Sequence, residues 1–208
     1  MKRNPFMACV AMLGLVSANA SAGLVLDQSQ DLWSHARGIR TTEFLAQSFT
    51  QGVGLNHLTD ISFYYYAWGS FPASATCQLR AGQVDNTNPL IDLPLLGTAT
   101  PLTWLAEPGG WQTFSFATPI AVTPGNVYTF VLNGGPTYPS GYAVPTYKTG
   151  NPYAGGALTV STDSGATWGT WADWDLTFRT YSAVPVPTTA GLLLVGGLLT
   201  CLRRRVSR

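Results

Sequence analysis

Charged residues are scarce in this chain of 208 residues. Only 10% of the residues are Asp, Glu, Lys or Arg, whereas 46% are hydrophobic and 12% are aromatic. The charges are also unevenly placed, because six of the eleven basic residues lie at the two ends and all ten acidic residues lie between them. The central part therefore has a net charge of −5. Since Lys and Arg drive nucleic-acid binding by neutralising phosphates, we expect no nucleic-acid partner.

Cysteine and histidine are almost absent. Of three cysteines only Cys77 lies outside the two ends, so an exported form has no internal disulfide and Cys77 is expected to be a small buried hydrophobe. His35 and His57 are the two histidines, and no His/Cys metal spacing, nucleophile elbow or phosphate-binding glycine loop occurs. We therefore expect no catalytic residues and no enzymatic activity.

Helical periodicity is also lacking between the two ends, and no repeat of 20–50 residues occurs. Hydrophobic residues alternate with polar ones instead, in short stretches separated by Gly- and Pro-rich turns. This pattern predicts an all-β domain over residues 23–183, an antiparallel β-sandwich with a jelly-roll-like arrangement. The predicted strands are 44–50, 58–68, 111–117, 127–133, 157–161 and 175–182.

The N-terminal end has the three parts of a secretory signal peptide. Lys2 and Arg3 form a basic start, residues 6–16 form a short apolar run, and Ala20-Ser21-Ala22 provides small residues before Gly23. We expect signal peptidase to remove residues 1–22.

The C-terminal end also has three parts. A motif, Val184-Pro185-Val186-Pro187, precedes an apolar segment over 188–202, and a basic tail over 203–208 follows. Fifteen helical residues span about 22 Å, which is short of a ~30 Å hydrocarbon core, although bilayer thinning can accommodate such a segment. The basic residues that would remain cytoplasmic by the positive-inside rule include Arg203, Arg204 and Arg205.

This tail resembles the PEP-CTERM sorting signal, which exosortases recognise in Gram-negative bacteria. It departs from the family's usual Pro-Glu-Pro, because Val186 stands where Glu is expected. The resemblance implies export, transient anchoring in the inner membrane, cleavage near Pro187 and release to the cell surface or the extracellular space. It also implies an association with exopolysaccharide. A simple tail anchor with a Pro-rich linker is the alternative.

The central part is also similar to a family of exported β-sandwich domains found upstream of such tails. The matching stretches supply sandwich turns and core positions, and the family offers no catalytic residue to carry over. These stretches are Ala46-Gln47-Ser48-Phe49-Thr50, Trp111 with Phe114 and Phe116, Thr123-Pro124-Gly125 before Tyr128, and Asp175-Leu176 with Phe178-Arg179.

The stretch Ser161-Thr162-Asp163-Ser164-Gly165-Ala166-Thr167-Trp168 resembles the Asp-box of sialidases and related β-propellers. An Asp-box is a turn, in which the carboxylate accepts backbone N–H groups, the glycine takes a left-handed conformation and the Trp ring covers the hairpin. The motif occurs once here, and a propeller does not fit this length. We therefore expect a structural turn and not a sialidase.

Three aspartates are candidate metal ligands. Alternation around Trp174 predicts that Asp173 and Asp175 point to the same face, and with Asp163 they could form an oxygen-rich calcium site. No other cofactor is expected. The alternative is a solvated turn beside an aromatic cluster.

Aromatic residues are the strongest candidates for ligand binding. If Phe63 and Tyr65 point inward, then Tyr64, Tyr66 and Trp68 line the outward face of their strand. Flat rings with few charges suit the C–H faces of sugars. Trp104, Trp171 and Trp174 are expected in loops, where aromatic residues also recognise ligands at low entropic cost. The alternative is that the second face of this strand packs under another sheet or a loop.

These patterns predict a non-catalytic protein of the cell surface or extracellular matrix, which binds glycans weakly through exposed aromatic residues. Two alternatives stay open. The first is a structural or adhesive matrix component that recognises proteins or itself. The second is a polysaccharide-modifying enzyme that uses two carboxylates at a set separation, which the sequence does not locate.

Overall fold

The computed structural model describes residues 22–66, 70–85, 92–106, 109–135 and 141–185. The predicted signal peptide up to residue 21 and the predicted sorting signal from residue 186 onward lie outside these residues. The compact unit to which the following description applies is Gly23–Val184. In this part of the chain no helix is long and apolar enough to cross a membrane.

The described secondary structure consists of strands joined by turns. The strands are β1 (Ala22–Gln30), β2 (His35–Ala36), β3 (Phe44–Thr50), β4 (His57–Tyr65), β5 (Ala73–Ala81), β6 (Leu95–Thr98), β7 (Leu102–Trp104), β8 (Gly110–Ala121), β9 (Val127–Gly134), β10 (Thr146–Thr149), β11 (Leu158–Ser161), β12 (Gly169–Trp171), β13 (Trp174–Leu176) and β14 (Phe178–Pro185). The prediction for 44–50 coincides with β3, and the predictions for 127–133 and 157–161 differ from β9 and β11 by one residue at one end.

The strands form three sheets. A four-stranded sheet has the order β1-β14-β4-β8, and a three-stranded sheet has the order β13-β10-β2. A seven-stranded sheet has the order β12-β11-β3-β9-β5-β6, with β7 also paired to β5. The registered strand pairs are antiparallel. The prediction of an all-β fold with antiparallel sheets is therefore confirmed.

The predicted strand 175–182 is two strands, and Thr177 separates them. The Thr177 N–H donates to the carbonyl of Thr146 in the three-stranded sheet. The Thr177 carbonyl accepts the N–H of Tyr64 in the four-stranded sheet. The chain thus passes from one sheet to another at this residue, which hydrophobic alternation in the sequence does not reveal.

Aromatic rings from the two larger sheets contact one another in the core. Phe63 of β4 lies 4.8 Å from Phe130 of β9, and Phe178 of β14 lies 5.2 Å from the same Phe130 ring. All three side chains are fully buried, and burying each contributes about 1.5–3 kcal/mol to folding. This contact between sheets is consistent with a β-sandwich.

The outer face of the seven-stranded sheet is covered as well. Ala46 of β3 and Val131 of β9 are paired in register, and they form a second apolar cluster with Val84 and Trp168. This cover explains why β9 is buried on both faces. Cys77 is a free, buried thiol whose pKa is raised by burial, as expected for a small core residue.

Candidate functional site

The predicted alternation along β4 is confirmed. Ile61, Phe63 and Tyr65 are fully buried, whereas Tyr64 is half-buried and Tyr66, directly after the strand, is 38% exposed. Trp68, the third predicted member of this stripe, lies outside the described residues. The outward face of the four-stranded sheet therefore presents tyrosine rings near the end of β4.

Trp33 joins these tyrosines, although the sequence analysis did not select it. Its ring centroid lies 6.0 Å from that of Tyr64 at an interplanar angle of 17°, and 5.5 Å from that of Tyr66 at 55°. Both distances lie in the range of favourable aromatic pairs. Trp33 is nevertheless 43% exposed. The sequence does contain one indication of its role, since Trp33 is a large aromatic residue that lies outside every predicted strand and turn.

The loop that holds Trp33 is anchored on both sides of the ring. The Leu32 N–H donates to the Gln30 side-chain oxygen at 2.6 Å, and the Leu32 carbonyl accepts from the Thr177 hydroxyl at 2.9 Å. On the other side, the Ser34 N–H donates to the Tyr147 carbonyl at 3.1 Å. The exposed Trp33 ring is thus carried by a backbone that is already ordered.

Trp111 extends the ring cluster across to β8. It pairs in register with Tyr64, and their rings meet edge to face at 5.6 Å and 85°. The guanidinium carbon of Arg179 lies 4.1 Å from the Trp111 ring centroid, a cation–π contact. We call Trp33, Tyr64, Tyr66 and Trp111, with Arg179 and its partner Asp31, the outer aromatic face.

Arg179 and Asp31 form a bidentate ion pair at this surface. Arg179 Nε donates to Asp31 Oδ1 at 2.9 Å, and Nη2 donates to Oδ2 at 3.0 Å. The bond to Asp31 is the main cause of a raised Arg179 pKa. The two side chains are 31% and 48% exposed, and pairs this exposed contribute only about 0–1 kcal/mol to stability. The pair places a donor group and an acceptor group beside the aromatic rings.

Trp171 and Trp174 lie in β12 and β13, and Trp104 lies in β7, so the prediction that these three residues occupy loops is wrong. The Trp171 and Trp174 rings meet edge to face at 4.4 Å, and Trp174 stacks on Tyr147 at 5.0 Å and 15°. Both rings also pack against the core. The turn between them leaves an open depression of about 220 Å³, lined by Trp171, Ala172, Asp173 and Trp174. The turn between β12 and β13, which belong to different sheets, is therefore a second surface with aromatic lining.

The Asp-box-like stretch is a hairpin turn between β11 and β12, as expected. The two Asp163 carboxylate oxygens accept the backbone N–H of Thr167 at 2.9 Å and its hydroxyl at 2.6 Å. These bonds and a third from Ser161 lower the Asp163 pKa to about 2. Gly165 has φ +87°, and the Trp168 indole N–H donates to its carbonyl at 3.0 Å. Trp168 is only 5% exposed, so the motif builds structure.

Asp175 and Asp173 do not point to the same face. Asp175 is buried, and its carboxylate accepts the Gln47 side-chain amide at 2.7 Å and the Tyr153 N–H at 3.1 Å. Burial raises its pKa. Asp173 is exposed in the turn between β12 and β13, where strand alternation does not apply. The expectation of a shared face is therefore wrong.

The calcium prediction needs Asp163, Asp173 and Asp175 in one place. Among the residues that the structure describes, no three His, Cys, Asp or Glu side chains are grouped so that they could hold a metal ion. Asp163 and Asp175 instead direct their carboxylates to separate hydrogen-bond donors. The three aspartates are therefore not brought together as ligands.

Comparison with known proteins does not assign the chain to a family. No protein-family model matches it, and no curated protein matches it significantly. Eight solved chains do match significantly. One contains the cysteine protease and lectin-like domains of a surface layer associated protein of Clostridium difficile, with a TM-score of 0.44 and 10% identity. The match covers 72% of this chain and 36% of that one, and a likeness this distant supports no conclusion about activity.

Proposed function

We propose that this chain is a non-catalytic protein of the cell surface or extracellular matrix, which binds polysaccharide through its outer aromatic face. One observation carries the proposal. Trp33 stacks on Tyr64 and makes a tilted contact with Tyr66, yet Trp33 stays 43% exposed and Tyr66 38% exposed. Large rings left open to water in an ordered loop suit the C–H faces of sugar rings, which stack on aromatic side chains.

The anchored loop supports binding for an energetic reason. Ordering a mobile side chain or loop on association costs free energy, and a surface ordered beforehand avoids part of that cost. Hydrogen bonds on both sides of Trp33 have already fixed its backbone. Trp and Tyr also supply a large contact area with few rotatable bonds. The outer aromatic face is thus prepared for a flat ligand.

The turn between β12 and β13 is proposed as a second contact point. Its open depression of about 220 Å³ is lined by Trp171, Ala172, Asp173 and Trp174. Sites for drug-sized ligands enclose about 300–1,000 Å³, so this one has room for a single sugar ring. Two weak contacts with one polymer raise overall affinity through the high effective concentration of the second. Calcium has no part in this proposal.

The proposal includes export and sorting. Signal peptidase would remove residues 1–22, and exosortase would act on the tail, at Val184-Pro185-Val186-Pro187, before the protein reaches the surface. The membrane is then a transient partner through the segment 188–202. The mature part would be a jelly-roll-like β-sandwich. Deleting the exosortase is expected to leave a larger, membrane-bound form that retains the tail, and an unchanged mature size would contradict the sorting claim.

A glycan array tests the binding proposal. The full chain, purified in a detergent without a sugar headgroup, is compared with Trp33→Ala and with Val53→Ala. Val53 is 91% exposed in the turn between β3 and β4, so its truncation controls for the loss of an exposed apolar group. We expect binding by the wild type and by Val53→Ala, and its loss in Trp33→Ala. Silence of the wild type across neutral and acidic glycans would overturn the proposal.

Self-association is a second candidate function, and β1 favours it. This strand lies at the edge of the four-stranded sheet, and its Leu24, Val25 and Leu26 are 61%, 42% and 48% exposed. An exposed apolar edge strand is a template for pairing with another chain. Sedimentation of the full chain at increasing concentration tests this, and association without glycan binding would establish an adhesive role.

Turnover of the host's own polysaccharide would instead establish an enzyme.

A further inference from the structure

We infer that the outer aromatic face selects neutral polysaccharides over acidic ones, because the Arg179 guanidinium is already paired with the Asp31 carboxylate. This inference rests on the proposed function, and it names the class of ligand that the same face takes. Its basis is the Arg179–Asp31 ion pair, whose guanidinium lies over the Trp111 ring.

The geometry of the pair sets its hydrogen-bonding capacity. Arg179 gives Nε–H and one Nη2–H to the two oxygens of Asp31. A guanidinium carries five N–H donors and a carboxylate has about four acceptor positions, so neither group is used up by this contact. The pair consequently offers both donors and acceptors to a ligand. Sugar hydroxyls need both, since each donates one hydrogen bond and accepts others.

The pair is also held next to the stacking rings. The Arg179 guanidinium lies 4.1 Å from the centroid of Trp111, and Trp111 meets Tyr64, which stacks with Trp33. Asp31 stands two residues before Trp33 in the same anchored loop. A sugar ring that stacks on this face therefore has the ion pair at the edge of the aromatic surface, where its hydroxyl groups lie.

The same ion pair disfavours the binding of an acidic sugar. Its carboxylate would have to compete with Asp31 for a guanidinium that is already bound in bidentate geometry, or lie beside Asp31 with like-charge repulsion. The central part of the chain also carries ten acidic and five basic residues, so its net charge repels a polyanion at longer range. Both effects disfavour uronate-rich polymers.

The test measures a preference as well as binding. The full chain is presented with a neutral glucan, mannan and galactan, and with polygalacturonate and alginate, at one ionic strength. We expect the wild type to bind at least one neutral polymer more tightly than either acidic polymer. The variant Asp31→Asn leaves the Arg179 guanidinium without its carboxylate partner Asp31. The ratio of the variant's affinity for acidic polymers to its affinity for neutral polymers should therefore rise roughly tenfold, which is the scale of one charge-assisted hydrogen bond.

Two further variants complete the test. Asp92→Asn removes the same charge from an exposed position before β6, and we expect it to leave the preference unchanged. Arg179→Lys keeps the cation but loses the planar fork, so neutral binding should fall without a gain for acidic polymers. Thermal unfolding establishes that each variant is folded.

The outcomes separate the two proposals. A wild type that binds acidic polymers more tightly, or an Asp31→Asn variant with an unaltered preference, would overturn this inference and leave polysaccharide binding standing. A wild type that binds neither class would overturn the proposed function, and the selectivity inference with it.

Discussion

The outer faces of the two larger sheets differ in how they use a tryptophan from a connecting segment. On the seven-stranded sheet, Trp168 joins Ala46 and Val131 in an apolar cluster and is 5% exposed. On the four-stranded sheet, Trp33 lies over Tyr64 and stays 43% exposed. We call the outer face of the seven-stranded sheet, which Trp168 covers, the closed face. We call the outer face of the four-stranded sheet, which carries Trp33, the open face.

The difference shows that a recognisable motif need not mark the functional surface. Trp168 belongs to the Asp-box-like turn, and its indole N–H is satisfied by the Gly165 carbonyl. Trp33 belongs to no motif. A buried ring with a satisfied polar group stabilises the fold, whereas an exposed ring on an ordered loop contributes little to folding and is free to contact a ligand. The face that Trp168 covers is therefore expected to act in folding, and the face that carries Trp33 is expected to act in the proposed binding.

The largest expected effect comes from opening the closed face. Trp168→Ala removes a buried ring and leaves a cavity, which should lower the free energy of unfolding by about 3–5 kcal/mol. Denaturant unfolding of the full chain measures this loss. Below the unfolding transition, glycan affinity should match the wild type. A Trp168→Ala variant with wild-type stability would show that the face is not closed by this ring.

The next effect concerns the open face. Trp33→Ala should weaken binding to the preferred glycan by about tenfold or more, the equivalent of roughly one well-packed aromatic contact. Its free energy of unfolding should fall by only about 0.5–1.5 kcal/mol, the scale of an aromatic pair such as that with Tyr64, which is well below the loss for Trp168→Ala. Titration and denaturant unfolding of the same preparation give both numbers. A large loss of stability would mean that Trp33 is part of the fold after all.

Acid should weaken the closed face through Asp163. Its pKa in the fold is lowered to about 2 by the bonds from Thr167 and Ser161. A depressed carboxyl pKa stabilises the fold at neutral pH, and this contribution is lost as pH falls from about 5 towards about 2. The stability difference between wild type and Asp163→Asn should therefore be largest near neutral pH and shrink as pH falls through about 2, where half of the folded carboxyl is still ionised. Unfolding curves at several pH values measure it, and a constant difference would contradict the account.

The smallest effect is expected from the ion pair of the open face. Asp31→Asn should change the free energy of unfolding by no more than about 1 kcal/mol, because both partners are substantially exposed. Thermal unfolding at low and high salt checks this, since any contribution should shrink as salt screens it. A larger loss would assign the pair to folding and remove it from ligand selection.

The predicted strands included the short β11, but they included neither β1 nor β5, although each of these has nine residues. β3, β4 and β9 alternate against a shared core and were found. β1 was missed because Leu24, Val25 and Leu26 follow one another without alternation. The order of strands in the sheets depends on contacts between distant residues, such as Phe178 opposite Phe63, and no local pattern encodes it.

The candidate site was predicted only in part, for a similar reason. The outward position of Tyr64 followed from the burial of Phe63 and Tyr65, so period-two reasoning located the strand face. Trp33 lies on that face because Leu32 is tied to Thr177, 145 residues further along the chain. The separation of Asp173 from Asp175 depends on a turn directly before β13 that interrupts alternation. The first miss is therefore a tertiary effect, and the second is a local turn that strand periodicity does not represent.

Chemical footprinting of tryptophan tests the central claim most directly. The wild-type full chain is treated with an indole-oxidising reagent, with and without the polysaccharide it binds best, and the modified residues are mapped by mass spectrometry. The account predicts that Trp33 is oxidised in the free protein and protected in the complex, while Trp168 resists oxidation in both. Equal oxidation of Trp33 with the polysaccharide bound would contradict it, because the ligand would then lie elsewhere.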